Sequence, residues 1–348
     1  MPHSITFILS GWGLPSPGQQ LLDRFLLGYP HNGRHHHPDV KLTVCPMGFA
    51  ATPELRQRAD MFGLRIEPDL AASLKHAQGI VLAWNAPGHV PDDLLLRNVL
   101  AQAPQQARCF VVGPLLESEA TASFVEKTVA ERSLQVVSGS PLNVTWRLPA
   151  MDLMPGTSVS EALIVVQGPT GLAEWEALEA LLPLLQSRAG GETGIDSILR
   201  FESQGVWKAG DKGVWSWSLL AAALSRSDSP QGDPVKDGRT QDLVGLGLVP
   251  GLARDPRGWQ LRHRDGLRST LLVLDGVVAD YDMAWVTQEG RIQSTQVFQA
   301  PQPAQHHYSR LAHILERFLL TGQSPWSLEH SLLIANTLQR IHAMITGG

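Results

Sequence analysis

The chain has 348 residues, of which 43% are hydrophobic and 18% charged, a globular balance with length for two domains and a sizeable core. A formal net charge of -5 supplies no global positive field for nucleic acid or an anionic membrane surface. Only Cys45 and Cys109 are present, which excludes a disulfide framework and a four-cysteine metal site and fits a reducing, cytoplasmic setting.

The start has no basic leader and reads as a first strand over Ile5–Ser10; no later segment has the roughly 20 apolar residues of a membrane helix. A Gly/Pro turn, Gly11 to Gly18, then leads into a helix over Gln19–Gly28. The stretch Tyr29–Asp39 carries Pro, Asn, Gly and three consecutive histidines and is expected to be a loop before a strand at Val40–Cys45. Thr52-Pro53 supplies an N-cap and an N1 proline for a helix that stops at Gly63. The alternation continues as strand 64–66, helix 68–77, strand 80–84, helix 92–103, strand 108–112, helix 117–133 and strand 134–137. Six strands joined by five helical crossovers predict a parallel, doubly wound sheet of Rossmann type, with ligands beyond the C-terminal strand ends.

After Pro141–Trp146 the pattern changes. A strand at 161–168, an amphipathic helix at Gly171–Arg188 with Pro183 inside it, a strand at 195–202 and a helix at 216–225 precede a polar loop at 227–241. From Trp259 onward, strand-like runs are separated by Asp265-Gly266, Asp275-Gly276 and Glu289-Gly290, which predict an antiparallel meander. Helices at Gln305–Thr321 and Ser327–Thr346 close the chain. The expected fold is thus an α/β Rossmann-type domain over 1–143, an α+β domain with a largely antiparallel sheet over 144–325, and a C-terminal helix, 326–348, packing back near the first domain.

Gly11-Trp12-Gly13-Leu14-Pro15-Ser16 follows the first strand as a partial dinucleotide fingerprint, with Ser16 in place of the third glycine. An acid about 20 residues on, the usual ribose anchor, is replaced by Cys45-Pro46-Met47-Gly48. Trp12 and Trp84 flank the expected cleft and are read as lining it. His35-His36-His37 and His306-His307 are consecutive rather than convergent, so no metal site is expected.

The order of elements, with several local strings, resembles the Gfo/Idh/MocA family of oxidoreductases over nearly the whole chain. Leu82-Ala83-Trp84-Asn85-Ala86-Pro87-Gly88-His89 sits where that family has a strand ending in Thr-Pro-Asn followed by a histidine. Val112-Gly113-Pro114-Leu115 is similar to its Glu-Lys-Pro-Leu segment, Gly171 to Glu179 to its active-site helix, and Ile314 to Leu333 to its closing helix pair. The resemblance implies an NAD- or NADP-dependent oxidoreductase acting on a sugar-like or polyol substrate, with homo-oligomers formed through the open face of the C-terminal sheet. It places Gly11, Trp12, Gly13, Ser16, Trp84, Asn85, His89, Gly113 and Pro114 at the cofactor. The family's catalytic Lys, Asp and His fall on Gly113, Leu172 and Glu176, all three replaced. Glu176 is then the remaining candidate for acid–base chemistry, although Glu174-Trp175-Glu176-Ala177-Leu178-Glu179 also reads as a solvated acidic face; His89 and Arg147 are the alternative bases. Two other functions stay open: a catalytically degenerate ligand-binding or partner subunit, and a non-redox lyase or isomerase on the same scaffold.

Overall fold

The structure, a computed structural model, describes residues 3–84, 92–229, 242–299 and 305–347. Asn85, His89, most of the polar loop at 227–241, and the side chains of His306 and His307 lie outside the described residues. Two compact units form, one from 1–144 with 300–336 and the other from 145–299 with 337–348.

In the first unit, strands β1 (His3–Leu9), β4 (Val40–Pro46), β5 (Arg65–Ile66), β6 (Gly79–Ala83), β7 (Arg108–Val112) and β8 (Gln135–Gly139) form one parallel sheet in the order β5-β4-β1-β6-β7-β8. Helices α1 (Pro17–Leu27), α2 (Pro53–Phe62), α3 (Leu70–Leu74), α4 (Asp93–Gln102) and α5 (Glu119–Arg132) make the crossovers. Each begins at the signal its sequence carries: Ser16, Thr52, Asp69, Asp92 and Ser118 accept a backbone N–H in the first turn. One core cluster lies on each face of the sheet.

The expected histidine loop is instead a small hairpin, β2 (Tyr29–His31) and β3 (Arg34–His36). Its turn residues Asn32 and Gly33 both take positive φ, 48° and 73°, the requirement of a two-residue hairpin turn.

Residues 300–336 belong to the first unit, whereas the sequence reading carries its second domain to 325. The reason lies in helix α10 (Gln305–Thr321), whose Leu311, Leu315, Phe318 and Leu319 are fully buried in the first unit's core. Arg108 Nη1 donates to Leu319 O at 2.7 Å, and Trp326 Nε1 donates to Ser138 O at 2.9 Å.

The second unit holds a seven-stranded sheet of β9 (Arg147–Leu148), β10 (Val159–Val166), β11 (Ile195–Glu202), β12 (Arg254–His263), β13 (Arg268–Asp275), β14 (Tyr281–Thr287) and β15 (Ile292–Val297), ordered β11-β12-β13-β10-β14-β15-β9. The Asp265-Gly266 and Glu289-Gly290 hairpins form as expected, but β13 and β14 do not pair across Asp275-Gly276. β10 inserts between them, parallel to β13 and antiparallel to β14, so the meander is interrupted. A turn signal specifies local chain reversal; it does not decide which strand fills the neighbouring slot.

Helix α6 (Leu172–Leu185) packs on β10 and β13, and α8 (Trp217–Leu224) packs on β10 and β14. Helix α7 (Gln204–Asp211) and the short α9 (Val249–Leu252) add elements that the sequence reading did not mark. The central strands offer no open face for the expected oligomer contact. Leu163, Val165, Leu272 and Ala284 on one side, and Ile164, Leu271, Met283 and Trp285 on the other, are all 0% exposed. The last helix, α11, spans Leu328–Thr346.

Candidate functional site

The loop after β1 feeds α1 through Ser16, whose Oγ accepts the Gln19 N–H at 3.3 Å. Ser16 is therefore the helix cap, and the close-packing role of a third fingerprint glycine falls to Gly18. A Cβ there would lie 2.8 Å from Leu9 Cδ2 and 3.2 Å from Ala83 Cβ. Gly13 is different: nothing lies within 4 Å of its Cβ position, so the chain itself leaves that space free. Beside it, the half-buried Trp12 has a buried Nε1 with no hydrogen-bond partner. Its ring lies 5.1 Å beneath the Arg58 guanidinium, which is held by two bonds to Asp23 at 2.5 and 2.8 Å. The sequence signal for Gly18 is a glycine seven residues after Gly11, outside the spacing of the usual fingerprint.

At the end of β4 no carboxylate is offered for ribose among the described residues. Glu67 and Asp69, the acids that act on buried Cys45, are already engaged: Glu67 with Arg65 at 2.7 Å, Asp69 as the α3 cap through Ala72 N at 2.7 Å.

Gly113 takes φ +125°, and a Cβ on it would meet Trp84 Cδ1 at 2.7 Å. Trp84 is only 2% exposed, and its Nε1 donates to Pro114 O at 3.0 Å. The indole is thus a core element that fills the space beside Gly113, rather than the cleft wall read from sequence; a lysine at 113 has neither the backbone conformation nor the room.

Glu176 lies on α6, and the solvated acidic face is not formed. Glu174 is 0% and Glu179 1% exposed, and Glu176 is half-buried. Glu174 closes the N-terminus of α6, accepting Gly171 N at 2.5 Å and Arg257 Nε at 2.8 Å. The Glu176 carboxylate accepts the Tyr281 hydroxyl. Burial pushes its pKa up to about 7, against the lowering effect of the Tyr281 bond, so the group exchanges a proton near neutrality. Burial and the adjacent carboxylate push the Tyr281 phenol upward in turn, keeping it a donor. Arg147, the alternative base, is ion-paired with Asp152. The Glu176 partner was not legible in sequence, since Tyr281 lies 105 residues away.

A second acid–base chain runs through Ser269 Oγ, His263 Nε2 at 2.8 Å, and His263 Nδ1 to Glu192 Oε1 at 3.0 Å. It has the connectivity of a nucleophile–base–acid relay, but Ser269 is 0% and His263 1% exposed. Arg188 joins it, bonding Glu192 at 2.9 Å and Asp265 at 2.8 Å, which makes it a buried structural network. The histidines of the β2–β3 hairpin are also absorbed by structure. His36 Nε2 bonds Glu316 at 2.8 Å, His31 stacks on His313 at 3.7 Å, and no metal-holding group of His, Cys, Asp or Glu occurs among the described residues.

No protein-family model matches the sequence, and no curated protein matches it. Solved structures do match its fold. GenD2 from gentamicin A biosynthesis, in complex with NAD, superposes with a TM-score of 0.59 at 13% identity, covering 100% of this chain and 96% of that one. Biliverdin reductase of Synechocystis sp. PCC 6803, with biliverdin and NADP+, gives 0.55 at 11% identity and 98% coverage of both chains. Scyllo-inositol dehydrogenase of Lactobacillus casei gives 0.55 at 11%, covering 97% and 95%. At such identities the likeness establishes the fold alone: a Rossmann-type parallel sheet joined to a unit built on a mixed, mostly antiparallel sheet.

Proposed function

We propose that this protein is an NAD(P)-dependent oxidoreductase acting on a sugar-like or polyol substrate, with Glu176 as its proton-transfer group. The observation that carries the reading is Glu176 itself, a half-buried carboxyl with a pKa of about 7, held by Tyr281 on the helix that resembles the active-site helix of the Gfo/Idh/MocA oxidoreductases. The free space at Gly13 and the orphaned Trp12 Nε1 fit a pyrophosphate approaching the N-terminus of α1. When bound, a nicotinamide ring supplies the two-electron hydride acceptor. Glu176 as carboxylate takes the proton of the substrate hydroxyl as the carbonyl forms, and returns it in the reverse direction. Tyr281 holds that carboxylate in one orientation by donating to it.

A second reading is favoured by Gly113 and Trp84, which leave no place for the usual lysine: a ligand-binding member that has lost redox chemistry. Titrating NADH and NADPH against the full chain, followed by nucleotide fluorescence and thermal shift, separates the two in combination with turnover on a panel of cyclitols and nucleotide sugars. The redox reading expects binding that Gly13→Val abolishes, and turnover that Glu176→Gln lowers by roughly 10²-fold or more. Binding without turnover across the panel selects the second reading; no response to either nucleotide removes the first.

A further inference from the structure

Parallel strands are ordinarily apolar on both faces, because crossover helices cover both. β1 and β4 depart from this on one side. Ile5, Phe7 and Leu9, with Val44, face one core, and Ile8 and Cys45 face the other. Earlier along that second face the residues turn polar. Ser4 sits beside Lys41, and Thr6 beside Thr43, which in turn lies beside Arg65 of β5. The cause is the length of α3. With five residues it covers Ile8 and Cys45 but not the strand beginnings, where its end and the residues just after it contribute the small Ala72 and Ala77, the buried Ser73, whose carbonyl accepts Thr6 Oγ1 at 2.8 Å, and the exposed His76.

These residues line a cleft of about 770 Å³, within the roughly 300–1,000 Å³ range of small-molecule sites. Lys41, Arg65 and His76 line it, and no acidic side chain does among the described residues. The cleft wraps the β4 edge, since β5 pairs only with Thr43 and Val44. Phe25, Leu26, Leu42 and Phe62 supply an apolar wall on that other side. Arg65 is partly neutralised by Glu67 at 2.7 Å, which leaves Lys41 as the principal cation. The cleft lies at the N-terminal ends of β1 and β4, the opposite end of the sheet from the Gly11–Ser16 loop.

We propose that this cleft is a second ligand site, for a small amphipathic anion: a carboxylate or phosphate headgroup against Lys41 with an apolar body along Phe25, Leu42 and Phe62. The proposal does not depend on the nucleotide loop being functional.

Isothermal titration of the full chain with octanoate and with phenyl phosphate tests it, alongside neutral octanol and two charge-matched variants. Lys41 is exposed, so Lys41→Glu keeps the fold, which circular dichroism and the melting curve check; Lys75→Glu places the same charge change on a lysine that does not line the cleft. The expected result is one saturable site for at least one anion, tenfold or more weaker in Lys41→Glu, unchanged in Lys75→Glu, unaffected by saturating NADH, and absent or tenfold weaker for octanol. Absence of saturable binding by both anions overturns the proposal. So does binding that resists Lys41→Glu, that falls equally in both variants, or that NADH displaces. His76→Glu, also exposed, serves as the second variant with the same expected loss.

Discussion

A β-carbon on Gly113 would stand 2.7 Å from Cδ1 of Trp84, so the glycine and the indole that fills the space beside it are one packing unit. The backbone at Gly113 is also in a conformation, φ +125°, that side-chain-bearing residues rarely adopt. Gly113→Lys alone is expected to destabilise the chain by about 2 kcal/mol or more through overpacking and backbone strain. Trimming the indole in Trp84→Ala costs about 3–5 kcal/mol by itself. Because the two sites touch, the double variant should lose less than the sum, a coupling that a urea-denaturation cycle measures.

Gly13 and Gly18 lie in the same loop-to-helix turn yet should respond oppositely. Gly18→Ala drives a methyl into Leu9 and Ala83 and is expected to lower stability by about 1–3 kcal/mol. Gly13→Ala meets nothing within 4 Å and should leave the melting temperature unchanged. Equal losses at both positions would show that the helix–strand contact is not where the glycine matters.

The Tyr281–Glu176 bond predicts a pH signature. Tyr281 donates to the charged carboxylate, so Tyr281→Phe should move the Glu176 titration above about 7, readable by carboxyl ¹³C NMR. The stability effect follows from the sign of the shift. Folded Glu176 holds its proton more tightly than the unfolded chain, so its contribution is full below the unfolded pKa of 4.5 and is lost as pH rises through about 7. Glu176→Gln should therefore gain on the parent chain as pH rises and converge with it in acid.

Asp282 should extend that trend. It is 0% exposed, and burial, with Asp280 beside it, pushes its pKa to about 9. Its stabilising effect, present below the unfolded pKa of 3.8, is lost as pH rises through about 9. Asp282→Asn is expected to flatten the stability profile on the alkaline side, measured by urea unfolding from pH 5 to 9.

Glu192 has the opposite sign. Burial acts to raise its pKa, but the bonds from His263 and Arg188 outweigh this and hold the carboxyl far below its usual range. Its contribution is present above 4.5 and disappears as pH falls below that value. Glu192→Gln removes one of the two carboxylate partners of buried Arg188, leaving Asp265, and should cost about 3 kcal/mol in denaturant melts near neutrality. Ser269, enclosed in the same network, should remain unlabelled by a fluorophosphonate in the folded chain and react only after unfolding.

The strand–helix alternation of the first unit, its parallel sheet, the Thr52 helix cap and the Asp265-Gly266 and Glu289-Gly290 turns were determined by sequence alone. They depend on local periodicity, capping side chains and positive-φ turns, all within a few residues of one another. Only the tertiary structure decided what depends on distant partners. β10 entering between β13 and β14 is a choice among strands remote in sequence. The full burial of Glu174 and the partial burial of Glu176 rest on Arg257 and Tyr281, and an isolated Glu-Trp-Glu string cannot signal partners that lie 83 and 105 residues away. The same holds for Gly18, needed because Leu9 and Ala83 close on it, and for Trp84, which reads as a cleft aromatic until its indole is seen packed against Gly113 and Pro114. Close packing is a property of volumes meeting in space, and linear spacing carries no record of it.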